Sequence, residues 1–182
     1  LELKRIQHAF GITFVVVTHD QEEALVMADR IAILRDGRLV QCATPREIYE
    51  RPADLFASSF IGVMNFVPVR LTAGQLVAAD ASVIRAESLP AGLGEGGAAV
   101  AAVRPERLRL LAPGDASDNH LSGRIAAMAY HGLDLHLHVE TAAGTVTVIR
   151  QNGGEAMPAE GSAVGLAWSA GDMVVRQGAG GA

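Results

Sequence analysis

Cysteine, lysine and aromatic side chains are all scarce in this chain, and each scarcity removes a class of function. The one cysteine, Cys42, can form no internal disulfide and has no second cysteine with which to share a metal, a usage that fits a reducing compartment. Lys4 is the only lysine, Lys plus Arg total 15 against 20 Asp plus Glu, and no dense basic run occurs, so the electrostatic footprint of a nucleic-acid binder is missing. Aromatic residues make up 4% of the chain, too few to stack bases along a groove. Apolar runs such as Ala98 to Val103 fall far short of the ~20 residues that a membrane-spanning helix needs. The sequence opens at Leu1 inside a helical pattern, with neither an initiating Met nor a targeting leader, and is therefore expected to lack an N-terminal part.

What is present points to two folded pieces. Apolar residues are 49% of the 182, which excludes disorder, and the length suits two small domains better than one. "LELKRIQHAFG" sets Leu1, Leu3, Ile6 and Phe10 among charges and stops at Gly11, the pattern of an amphipathic helix. "ITFVVVTH" follows, an apolar β-branched run of the kind a central parallel strand covered on both faces requires. Asp20 and Glu23 have the spacing of an N-terminal capping pair ahead of "QEEALVMAD". "RIAILRDGRLVQCAT" predicts a hairpin turning at Asp36-Gly37, and Pro45 and Pro52 bound a short helix followed by a second one carrying Leu55, Phe56 and Phe60.

After about Met64 the pattern becomes short alternating stretches punctuated by Gly and Pro, of which "LDLHLHVE" is the strictest, and this predicts an all-β half. No internal repeat stands out, although the β half is long enough for two barrel-like lobes. "PAGLGEGGAA" is expected to be a flexible loop, and residues 179–182 a disordered tail. The expected organisation is an α/β piece over 1–62 and an all-β, OB-like barrel over 63–178.

The candidate for chemistry is His19. Ligands of parallel α/β sheets gather at the carboxyl ends of the strands, and His19 would stand there after "FVVVT", oriented by the strand below and the capped helix above. Such an imidazole donates a hydrogen bond to a phosphate or to a water attacking it, or it merely satisfies a nearby backbone carbonyl. His131, His136 and His138 invite a metal reading, since positions 136 and 138 share a strand face with Glu140, yet a fourth ligand is not apparent and solvent-facing histidines are the expectation. The arginines of "AVRPERLRL" suggest either an anion site or, as expected here, a solvated rim. Leu25, Met27 and Ala28 are expected to be packing residues.

The string "ITFVVVTHDQEEALVMADRIAILRDGRLVQCATPREIYERP" resembles the closing stretch of the nucleotide-binding domain of ABC transporter ATPases, importer branch, and the run on to "FASSFIG" matches the segment leading out of that domain. "VRPERLRL", with Arg104, Pro105 and Glu106, the Gly after Tyr130-His131, and Trp168 resemble the transport-associated OB-fold domain appended to such ATPases. "ERPADLFASSFIGVMNF" looks most like importers of polyamines, with ferric iron and phosphonate importers close behind.

The resemblance implies an α/β remnant of a P-loop NTPase-type domain followed by an OB-like regulatory domain, with ATP and Mg²⁺ as cofactors of the intact protein. It makes His19 the switch histidine, catalytic and in contact with the γ-phosphate. It further implies a homodimer of ATPase subunits, membrane permease subunits, indirect dealings with a solute-binding protein, and a cytoplasmic location on the inner face of the membrane, with no nucleic acid and no resident metal site. The chain holds no G-x-x-x-x-G-K-[ST], no "LSGGQ"-like signature and no apolar strand ending in Asp-Glu, so by itself it is expected not to hydrolyse ATP. The competing expectation is a free-standing regulatory or anion-sensing barrel carrying a vestigial ATPase remnant.

Overall fold

The computed structural model describes residues 2–112, 115–153 and 158–178, so the expected tail at 179–182 lies outside the described residues, as do Leu1 and the side chain of Leu3. The chain divides into two compact units, Leu1–Gly62 and Val63–Ala182.

In the first unit, α1 (Glu2–Phe10) ends at Gly11 in a left-handed conformation, φ 62°. The expected strand does not follow. Ile12 to Thr18 form no strand, and Val15 and Val17 are 89% and 97% exposed. A strand meant for burial on both faces is held by a neighbour on each edge and a cover on each face, and among the described residues of this unit the only sheet is an antiparallel pair. That pair is β1 (Ile31–Arg35) and β2 (Arg38–Ala43), joined at Asp36 and Gly37 with φ of 51° and 74°, the two positive values a two-residue hairpin turn demands. The parallel sheet expected of a P-loop NTPase remnant is therefore not formed by these residues. Helix α2 (Gln21–Met27) precedes the hairpin, and α3 (Pro45–Glu50) and α4 (Leu55–Phe60) follow it. Thr44 and Glu47 make a reciprocal capping box on α3, with Pro45 in its first turn. Ile31, Ile33, Ile48, Ala57 and Ile61 form the small core.

The second unit contains β3 (Asn65–Thr72), β4 (Gln75–Ala78), β5 (Val83–Ile84), β6 (Ala98–Val103), β7 (Arg109–Leu110), β8 (Asn119–His131), β9 (Asp134–Thr141), β10 (Gly144–Gln151), β11 (Ala163–Trp168) and β12 (Met173–Gln177). They make two five-stranded sheets, ordered β10-β9-β8-β11-β7 and β12-β6-β3-β4-β5, around one core that includes Val67, Ile125, Leu137, Val139, Leu166 and Trp168. Alternation supplies it: in β9, Leu135, Leu137 and Val139 are buried between half-buried Asp134, His136 and His138.

These sheets are two copies of one design. The order β3-β4-β5-β6-turn-β7 recurs as β8-β9-β10-β11-turn-β12, and each sheet takes its fifth strand from the other copy. β12 pairs with β6 through Val174↔Ala102 and Val175↔Ala101, while β7 pairs with β11 through Arg109↔Ala167 and Leu110↔Leu166. Asn65 and Asn119 open the first strand of each copy, and both do the same work. The Asn65 amide donates to Thr147 O (2.7 Å) and accepts from Thr147 N–H (2.8 Å), whereas the Asn119 amide donates to Arg85 O (3.0 Å) and accepts from Arg85 N–H (2.6 Å). Each buried amide thus replaces one residue of a missing strand and joins its own sheet to the other. Arg70 and Arg124 likewise donate to the carbonyls of Gly96 and Gly161. Arg107 and Asp172, the last residues of the 3₁₀ turns Pro105–Arg107 and Ala170–Asp172, meet at 3.4 Å.

The copies differ where their hairpins protrude: β8 runs 13 residues against 8 in β3, and β9 runs 8 against 4 in β4. The expected flexible loop is pinned, because the Glu95 carboxylate accepts the Ala73 (2.6 Å) and Gly74 (3.4 Å) N–H groups and Leu93 packs on the core.

Candidate functional site

His19 sits on an exposed bend between the extended run and α2. The bend is fixed from both sides. Asp20 caps α2, its Oδ1 accepting the Glu22 (2.9 Å) and Glu23 (3.1 Å) N–H groups, and the Asp20 N–H in turn donates to Thr18 Oγ1 (2.9 Å). The Glu23 carboxylate does reach back, but to the Thr18 hydroxyl (3.3 Å) rather than to the backbone of Asp20, whose N–H is already engaged. The residues flanking His19 are held by four hydrogen bonds, counted as the three backbone bonds and the Thr18–Glu23 contact, while the imidazole faces solvent. It does not stand at the carboxyl edge of a parallel sheet, because Ile12 to Thr18 make none. Leu25 and Ala28 pack on the small core as expected of them.

His131, His136 and His138 share the outer face of one sheet. The His131 and His136 rings stack at 4.2 Å, and His138 Nδ1 lies 3.3 Å from the Thr147 hydroxyl. Desolvation, then the neighbouring His131, hold His136 below its ordinary pKa, with Asp134 opposing. Stacked rings do not aim two nitrogens at one point, and among the described residues no group of three His, Cys, Asp or Glu is placed to hold a metal. Glu140 pairs across the strands with Arg124 and Thr145.

The arginines of "AVRPERLRL" do not converge either. Arg104 is buried and donates to Val63 O (3.1 Å), Arg107 pairs with Asp172, and Arg109 pairs with Asp115 at 2.6 Å. A cleft of about 770 Å³ beside β7 and β10 carries Glu106, Asp115 and Asp134 as well as Arg109 and Arg150, a mixed lining that gives an oxyanion no preference.

Among known proteins, residues 101–175 match the TOBE domain family. The spermidine/putrescine import ATP-binding protein PotA of Ruegeria pomeroyi is 46% identical over 154 residues, 83% of this chain and 41% of that protein. The chain is similar to the C-terminal region of ATP-binding subunits of importers. The Pseudomonas fluorescens Pf-5 relative of the same name is 42% identical over 181 residues, covering 96% of this chain and 48% of its own length, and the Rubrobacter xylanophilus one is 42% identical over 178 residues. The chain spans a little under half the length of these importer subunits and matches their C-terminal region. In fold, the cytoplasmic molybdate-binding protein ModG is similar, with a TM-score of 0.52 at 15% identity over 61% of this chain and 94% of that one.

Sequence reasoning missed the two asparagine brackets. The available signal was slight: "NFVPVR" and "NHLSGR" share the first Asn and the Arg five residues on, and little else.

Proposed function

We propose that the intact protein hydrolyses ATP to drive import of a solute through membrane permease subunits, that the solute is a polyamine, and that His19 is a catalytic residue contacting the γ-phosphate. The carrying observation is kinship at 46% identity with a spermidine/putrescine import ATP-binding protein across a stretch that includes most of this chain. ATP with Mg²⁺ supplies the phosphoanhydride whose cleavage is coupled to transport. Of the parts such a site needs, this chain offers one imidazole on an exposed, hydrogen-bonded turn; the phosphate loop, its lysine and the metal carboxylates are not in this sequence. The role of His19 is to donate a hydrogen bond to the terminal phosphate and orient the attacking water, and the Thr18–Asp20–Glu23 network holds the residues on either side of it.

In this reading residues 1–62 close the nucleotide-binding domain and 63–178 form its regulatory β domain. Two such subunits pair, work from the cytoplasmic side of the membrane, and meet a solute-binding protein only through the permease. No helix among the described residues is long and apolar enough to cross a membrane. The anion-sensing alternative loses support from the mixed charges of the cleft beside β7.

The test is His19→Ala in the intact subunit. ATP turnover is expected to fall by about 10²–10³ while nucleotide binding persists, the cost of removing one preorganised donor. Unchanged turnover overturns the role of His19. This chain alone is expected to bind no ATP in a titration, and tight binding would contradict the assignment of the missing parts.

A further inference from the structure

Gln21 is the first residue of α2, two residues after His19, and its side chain leaves the helix to bond a residue 41 positions later. Its Oε1 accepts the Gly62 N–H at 2.7 Å. Gly62 is where the first unit ends; it is left-handed, φ 66°, and follows Ile61, which is buried in that unit's core. On the far side of the Gly62–Val63 peptide the chain is held again. Val63 O accepts from the buried Arg104 guanidinium at 3.1 Å, and Asn65 makes its two hydrogen bonds to Thr147. Gly62 N–H and Val63 O are thus each held, the first within its own unit and the second within the β unit.

We infer that Gln21 is a positioning residue that links the His19 turn to Gly62, the last residue of the first unit, so that the state of the phosphate-sensing turn is felt there. The inference rests on the importer reading and deepens it. Asp20, which caps α2 and bonds Thr18, is the covalent neighbour of Gln21, so a shift of the turn carries the Gln21 side chain with it. A bond of 2.7 Å has little slack, and Gly62, without a Cβ, follows at small torsional cost. The plainer role is that Gln21 only satisfies an N–H beyond the end of α4. The two roles differ in what nucleotide does.

The experiment uses the intact subunit with Gln21→Met, which keeps length and loses the acceptor, and Gln21→Glu, which keeps the acceptor. Amide hydrogen exchange at Gly62 to Asn65 is read with and without ATP in the absence of Mg²⁺, so that no turnover intervenes. Without nucleotide, Q21M is expected to speed exchange at Gly62 about three- to tenfold, the effect of losing one hydrogen bond, and Q21E to leave it near wild type. With ATP, exchange at Gly62 and Val63 changes in wild type and Q21E but not in Q21M, while the KM for ATP stays within about twofold in all three. An equal ATP response in Q21M overturns the coupling and leaves the plainer role. Unaltered exchange at Gly62 in Q21M overturns the bond itself. A wild-type subunit that takes up no ATP refutes the importer reading and the coupling with it, an outcome distinct from failure in Q21M alone.

Discussion

Replacing Asn65 or Asn119 by alanine removes one bracket between the two β sheets and orphans two backbone groups at once. Asn65→Ala leaves the Thr147 N–H and C=O without partners, and Asn119→Ala does the same to Arg85. An orphaned group costs about 1–3 kcal/mol when water cannot reach it. Thr147 is half-buried and Arg85 exposed, so water recovers some of that loss, and the low end applies: about 2 kcal/mol for each alanine variant. For a domain of this size that is a fall in Tm of roughly 6–10 °C. Asn65→Asp is expected to be worse than alanine, because the carboxylate keeps the acceptor for Thr147 N–H but sets an unpaired negative oxygen against Thr147 O in a buried position. Trp168, the only tryptophan, lies in this core, so urea unfolding followed by its fluorescence reports on the β unit alone. The double alanine variant should lose the sum of the two single losses within about 0.5 kcal/mol. Single variants within about 0.5 kcal/mol of wild type, or an aspartate as stable as asparagine, would refute the bracket reasoning.

Two further expectations concern other parts of the chain. Val15→Ser and Val17→Ser should each alter the thermal unfolding of this chain, followed by circular dichroism, by no more than about 0.5 kcal/mol, because both side chains face water; a loss of ~2 kcal/mol would mean that the run is packed. His136 has its folded pKa below the ordinary 6.5, chiefly through desolvation, so below that value the unfolded chain binds the extra proton. The stability His136 contributes is complete above about pH 6.5 and is lost as pH falls towards its folded pKa, so His136→Gln should flatten the decline in stability between roughly pH 7 and 5. Equal slopes in the two proteins would remove His136 from the account.

Several elements were legible because their causes are local. The Asp36-Gly37 hairpin needs two positive φ values, the start of α3 needs Thr44, Pro45 and Glu47, and the switch to alternation after Met64 marks a change from helical to pleated burial. β4 and β7, at four and two residues, carry too little pattern to read. The composition of Ile12 to Thr18 predicts a strand, and composition states only what a segment can do when neighbours exist. The residues around His19 were readable as a capped turn; that the Glu23 carboxylate goes to Thr18 depended on which donor was already taken.

By itself, the sequence determined the switch from helical to alternating patterning and the local turns and caps, each set by neighbours a few residues apart. Only the tertiary structure decided that the β unit is one motif used twice with its last strands exchanged, that Asn65 and Asn119 bind partners 82 and 34 residues away, and that Gln21 meets Gly62. The physical reason is that a buried amide is satisfied by whichever backbone group the packing brings to it, and nothing in its own neighbourhood along the chain records which group that will be.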